Sequence, residues 1–146
     1  MATVSESIEI AASLSAVWDV YFEPATWPAW VDQFASIDSS TGYPETGARL
    51  VWRSGSAGRG EVTERVLEHQ PRTRHRIQFS DPSAEGELTT DFAEAAAATT
   101  VSLAMTYELS SRGVFARVSD VLFVRSQMRA SLHRSLVSLR LEVEDA

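Results

Sequence analysis

From Gly113 to Glu144 the chain contains no proline and no internal glycine. Apolar residues step through this stretch at intervals of three or four: Val114, Val118, Val121 and Leu122, then Met128, Leu132, Leu136, Leu139 and Val143. That period predicts one helix, roughly 48 Å long at the standard rise per residue, with a single apolar stripe. A helix of that length cannot bury its stripe against itself and needs a sheet broad enough to cover it.

The middle of the chain supplies one, because its apolar period is two. Alternation predicts strands over Ser36–Ser40, Ala48–Ser54, Glu61–Glu68, Arg74–Ser80, Glu87–Ala93 and Thr99–Leu109. Gly42, Pro44 and Gly47 punctuate the first gap, and Gln70-Pro71 centres a tight turn. Val4 to Ile10 alternates as well and predicts a strand ahead of this set. Ser13 suits the N-cap of a short helix reaching Phe22, which Pro24 stops, and Pro28 suits the first turn of a second short helix ending near Phe34. The order is β-α-α-β6-α. Short turns between consecutive strands imply an antiparallel meander of about seven strands, in one α+β domain spanning residues 1–146.

Composition excludes several functions. A net charge of −7 opposes non-specific nucleic-acid binding, since a polyanion is repelled. The absence of cysteine removes disulfides, thiolate nucleophiles and zinc–thiolate sites. All 13 basic residues are Arg, and Lys and Asn are absent, which fits a GC-rich bacterial genome. The first nine residues lack the basic and apolar regions of a signal peptide, and no apolar run is long enough to span a bilayer. A cytoplasmic protein is expected.

Trp27-Pro28-Ala29-Trp30 is the strongest local pointer to a site. Two indoles split by a proline suit the wall of a core or cavity better than a solvated surface. Trp52 alternates with Arg53, and Trp52 is expected to face inward because a buried Arg needs a partner. His75 alternates with Ile77 and Phe79 and is the one histidine expected inside. A regular hairpin puts Val66 near His75 and Glu64 near Ile77. If that face is concave, Glu64 and His75 are neighbours in an apolar cavity, able to act as acid and base or to hydrogen-bond a ligand. The opposite phase puts Glu64 in water. Phe92, Met105 and Leu122 extend the predicted wall, and Tyr107 offers a hydroxyl. Arg125 is either an anion anchor or a side chain that reaches back to solvent. Phe115 and Phe123 suit a cavity wall, a lid or a dimer contact. Gly55 to Gly60 is a hairpin loop and not a phosphate loop, because strands flank it on both sides. His69, His75 and His133 fall on different elements, so no metal site is predicted.

With these residues in this order, the chain resembles the START-like (SRPBCC) superfamily of helix-grip proteins, most closely its polyketide cyclase/dehydrase and lipid-transport branch. The resemblance rests on Ser13-Leu14-Ser15-Ala16-Val17-Trp18-Asp19-Val20, on Trp27-Pro28-Ala29-Trp30, on Gly60-Glu61-Val62-Thr63-Glu64 leading to Gln70-Pro71, and on the run from Gly113 through Leu136, Leu139 and Glu142. It covers essentially the whole chain. It implies a curved antiparallel sheet wrapped around the C-terminal helix with a deep apolar cavity between them. No catalytic motif is common to the superfamily, so no catalytic residue carries over by position.

Three functions follow as expectations. The first is binding of a small hydrophobic molecule, lipid-like, aromatic or polyketide-like, by Trp27, Trp30, Trp52, Ile77, Phe79, Phe92, Met105 and Leu122, with His75 and Tyr107 as polar contacts. The second is cofactor-independent cyclase or dehydratase chemistry with Glu64 and His75 moving protons. The third is a protein-interaction module with a vestigial cavity. Either a monomer or a homodimer is compatible with the apolar positions on the helix.

Overall fold

The computed structural model describes residues 1–55, 58–110 and 121–145. The chain runs β1 (Ala2–Ile10), α1 (Leu14–Tyr21), a 3-10 turn (Pro24–Thr26), α2 (Trp27–Trp30), β2 (Phe34–Thr41), β3 (Arg49–Ser54), β4 (Glu61–Gln70), β5 (Arg74–Ser80), β6 (Ala84–Ala95), β7 (Ala98–Leu109) and α3 (Val121–Glu144). All seven strands form one antiparallel sheet in the order β1-β7-β6-β5-β4-β3-β2. The six consecutive strands are the predicted meander, and β1 closes it by pairing with β7. This is the α+β helix-grip fold: a curved sheet folded around a long C-terminal helix.

Each junction has a local cause. Ser13 caps α1, its Oγ accepting from the Ala16 N–H at 3.2 Å. The Leu14 N–H donates to the Glu94 carboxylate at 2.8 Å, and Thr99 Oγ1 donates to the Ala12 carbonyl at 2.8 Å. The start of α1 is therefore tied to the β6–β7 hairpin. At the other end of the chain, Glu144 accepts from the Ala11 N–H at 2.9 Å. The second short helix is shorter than predicted. Pro28 does sit in its first turn, but α2 ends at Trp30, because Val31 is already extended and Gln33 takes a positive φ of 61° that turns the chain into β2.

The concave face of the sheet and the buried stripe of α3 share one core. Val4, Ile10, Val17, Leu50, Val62, Val101, Leu136 and Leu139 are fully buried. The stripe on α3 is Val124, Leu132, Leu136, Leu139 and Val143. Two predicted members do not belong to it. Val121 is 68% exposed and Leu122 is 76% exposed, since Val124 takes the inward direction on that first turn. The predicted helical positions Val114, Phe115 and Val118 lie outside the described residues. Among the described residues, no helix is long and apolar enough to cross a membrane.

The β4–β5 pairing corrects the expected register. A bulge between Val66 and Glu68 inserts one residue into β4. With the turn centred on Arg72 rather than on Gln70-Pro71, Gln70 faces Arg74 and His69 faces His75, and beyond the bulge Val66 faces Ile77 and Glu64 faces Phe79. Beyond a bulge the side-chain phase reverses. This one turns His69, which strict alternation sends to the convex side, onto the same face as His75.

Candidate functional site

Between the concave face, α2 and the first half of α3 lies a cavity of about 440 Å³. That volume is within the range of sites for small organic ligands. Its walls include Trp27, Trp30, Trp52, Ile77, Phe79, Leu88, Leu103, Met105 and Leu132. Both α2 tryptophans offer it only apolar surface, because their indole N–H groups are already used. Trp27 Nε1 donates to the Tyr21 carbonyl at 2.9 Å, and Trp30 Nε1 donates to Thr26 Oγ1 at 3.0 Å.

Glu64 is the principal polar group. It projects from the concave face of β4, and its carboxylate accepts a 2.8 Å hydrogen bond from Trp52 Nε1. Protein surrounds the carboxyl, and this desolvation raises its pKa above the usual carboxylate value; the Trp52 bond and the positive charge of Arg59 only partly offset it. Arg59 reaches over from the β3–β4 loop, its guanidinium 5.6 Å from the Trp52 ring centre and 5.2 Å from that of Phe79. Asp81 anchors it, with Oδ2 accepting from Arg59 Nε at 2.7 Å. The other oxygen of Asp81, Oδ1, accepts from the Ser83 and Ala84 N–H groups, so this carboxylate, only 2% exposed, is fully engaged in holding Arg59 and the turn.

Two phenols face the same region. Tyr21 OH shares a 2.7 Å hydrogen bond with Thr90 Oγ1. Burial raises the pKa of both Tyr21 and Tyr43, and the Glu64 carboxylate adds to the effect, so both phenols are neutral hydrogen-bonding groups.

At one border of the cavity the Asp32 side chain is clasped by α3. Ser131 Oγ donates to Oδ2 at 2.6 Å, and Arg134 binds both carboxylate oxygens at 3.0 and 3.1 Å. The backbone N–H of Asp32 donates to Ser135 Oγ at 2.8 Å. These bonds fix the α2–β2 junction against the helix.

His75 lines the cavity within an aromatic cluster. Its ring stands edge-on to Phe22 at 4.8 Å and to Tyr43 at 5.8 Å. Only 3% of the residue is exposed. Desolvation, with a smaller contribution from His69, lowers its pKa to about 3, so the ring is neutral. Its Nδ1 lies 2.9 Å from His69 Nδ1, and its buried Nε2 has no hydrogen-bond partner among the described residues.

Of the residues singled out in the sequence, Trp27, Trp30, Trp52, Glu64, His75, Ile77, Phe79 and Met105 line the cavity. Three do not. Leu122 is exposed, as noted, and Phe123 borders the cavity in its place. Phe92 is buried against Trp18 and Tyr21, and Tyr107 is buried in the core. The expected Glu64–His75 contact is also corrected. Glu64 faces Phe79, four residues along β5 from His75, a backbone separation of roughly 13 Å. His75 has His69 as its partner instead, so two of the three histidines do share a location. Among the described residues there is no group of three or more His, Asp or Glu side chains that could hold a metal ion. Arg125 is exposed. Sequence reasoning missed Tyr21, Asp32, Tyr43, Arg59, Asp81 and Thr90 as contributors. Only Arg59 carried a local signal, as the one charge in a glycine-rich loop.

The sequence model for "Polyketide cyclase / dehydrase and lipid transport" matches residues 1–144. No curated relative matches the chain. Among solved structures, a protein from Thermus thermophilus is 19% identical, with a TM-score of 0.78 over 99% of this chain and 98% of that one. A START superfamily protein from Mycobacterium smegmatis is 13% identical, with a TM-score of 0.71 over 98% and 97%. A point mutant of norcoclaurine synthase from Thalictrum flavum, solved with a transition-state analogue, is 15% identical, with a TM-score of 0.65 over 98% and 96%. At these identities the structural likeness shows the fold alone. The family match spans nearly the whole sequence, and the chain belongs to the polyketide cyclase/dehydrase and lipid transport family of START-like proteins.

Proposed function

We propose that this chain binds a small, largely apolar molecule bearing at least one oxygen function in the cavity between the sheet and α3. The observation that carries this reading is a desolvated carboxyl, Glu64, set among aromatic and aliphatic side chains in a cavity of about 440 Å³. A desolvated carboxyl costs stability, and one retained in an apolar cavity is a mark of a functional site. Trp27, Trp30, Trp52 and Phe79 supply flat apolar surface. Glu64, Tyr21 and Tyr43 supply hydrogen bonds, and Arg59 supplies positive charge.

A second reading, cofactor-independent cyclase or dehydratase chemistry, has its own support. A carboxyl whose pKa is raised by desolvation is a stronger base when ionised than an ordinary carboxylate and can return the proton it takes. Tyr21 and Tyr43 are placed to hydrogen-bond a carbonyl oxygen as charge develops on it.

Glu64→Gln tests the role of the carboxyl. A raised folded-state pKa favours folding at low pH, and that contribution is lost as the pH rises through the folded value. Gln mimics the protonated form and can still accept from Trp52. The variant is expected to melt at a higher temperature than wild type at pH 7, with the two curves converging below pH 4.5. Its affinity for 2-naphthol, followed by quenching of the cavity tryptophans, is expected to lose the pH dependence that the Glu64 carboxyl gives the wild type. A lower melting temperature at pH 7, with unaltered 2-naphthol binding at every pH, would contradict the assignment of Glu64 to the site.

A further inference from the structure

We propose that His75 and His69 form a proton relay joining the cavity to solvent. The proposal deepens the catalytic reading above and rests on it. His75 Nδ1 and His69 Nδ1 are 2.9 Å apart. At that distance one nitrogen carries a proton and the other offers a lone pair, so the two neutral rings hold complementary tautomers. His75 lines the cavity, and its Nε2, on the opposite side of the ring from the His69 contact, is buried without a partner among the described residues. His69 is partly exposed, resting on Trp18 at 5.2 Å and Phe22 at 5.1 Å. The pair thus joins a buried, unpartnered nitrogen on a cavity-lining ring to a second ring that is partly solvated. Neither Glu64 nor Arg59 is a hydrogen-bond partner of either ring.

The transfer balances without a further reactant. A ligand with an acidic O–H, such as a phenol or enol, gives its proton to His75 Nε2. The proton on His75 Nδ1 passes to His69 Nδ1, and the proton on His69 Nε2 leaves to water. Three bonds to hydrogen break and three form, both imidazoles end neutral, and the ligand is left as its anion. Running the steps in reverse returns a proton to the ligand and resets both tautomers. Cyclisation followed by loss of water removes and restores protons with no net change, so one relay used in both directions serves it. The low basicity of His75 suits this path, because a second proton does not rest on that ring. Of the titratable groups around the pair, Glu45 favours protonation of His69, and Tyr43 packs against His75 as a neutral phenol. The turn register sets His69 opposite His75, and the β4 bulge puts His69 on the same face of that strand as Glu64.

The test uses the full chain labelled with 15N-histidine and no added ligand. Long-range 1H–15N spectra at pH 7 read the tautomer of each ring, and saturation transfer reads the exchange of the His75 ring proton with water. Opposite tautomers on His69 and His75 are expected, with exchange at least tenfold slower in both His69→Phe and His69→Gln. The Gln variant keeps a hydrogen-bonding side chain of smaller volume but cannot pass a proton on, so it separates relay from packing. The same tautomer on both rings, or His75 exchange unchanged in either folded variant, would overturn the relay. Because no ligand is present, that outcome would leave the cavity reading intact; failure of 2-naphthol to bind tests the cavity reading separately.

Discussion

Gly86→Ala is expected to destabilise the protein by about 4 kcal/mol or more, a loss at the upper end of single substitutions. Gly86 lies on the concave face of β6, between Phe79 of β5 and Tyr107 of β7. A Cβ added there would lie 1.9 Å from the Thr106 carbonyl oxygen and 2.9 Å from the Tyr107 Cα. Those are backbone atoms of the neighbouring strand, so no side-chain rotation relieves the clash. The β6–β7 ladder must open, and with it the curvature by which the sheet wraps α3. The missing side chain is what allows the β7 backbone to approach this closely. Chemical denaturation of the variant measures the loss. A cost under about 1 kcal/mol would mean that the sheet is less tightly coiled at this point than described.

The second large effect is acid instability at His75. Its pKa falls from the usual 6.5 to about 3 because the buried ring resists charge. A histidine with a lowered folded-state pKa contributes stability that is complete above 6.5 and is lost as the pH falls toward the folded value. The expected loss by pH 4 from this one ring is roughly 3 kcal/mol. Glu64 acts in the opposite direction over the acid range, so its protonation does not account for the loss. His75→Phe keeps a flat ring beside Phe22 and Tyr43 while removing the titration. Urea midpoints measured from pH 7 to pH 4 are expected to fall steeply for wild type and to flatten in the variant. Parallel profiles for the two proteins would show that His75 is not the acid-sensitive group.

Much of the fold was legible because periodicity is a local property. The change from period two to period 3.6 marked the meander and the long helix, and Ser13, Pro24 and Pro28 marked the short helices that precede it. The choice of Trp52 over Arg53 as the inward residue followed from the cost of burying a charge, and Arg53 is exposed and paired with Asp38 and Glu61. Register was not legible. The turn centred on Arg72 separates Glu64 from His75 and sets His69 opposite it, and the extra residue beside Val66, which has no distinct local signature, puts His69 on the face that Glu64 occupies. Leu122 was misplaced for a related reason. A stripe shows which residues share a helix face but not how that face rotates against a sheet. The contacts of Arg59 with Asp81, and of Asp32 with Ser131 and Arg134, join positions 22 to 102 residues apart. Only the folded chain reveals such pairs.

Occupancy of the cavity by a small apolar molecule is read by native mass spectrometry. The full chain would be presented with 2-naphthol, decanoic acid and anthraquinone beside a Leu88→Trp variant. Leu88 borders the cavity and is only partly buried, so a larger ring there has space to grow into the binding volume. The account predicts a 1:1 complex with at least one of these compounds, or with a molecule carried through purification, and its loss in the folded Leu88→Trp variant. No complex in the wild-type protein, or one that persists undiminished when the cavity is filled, would contradict it.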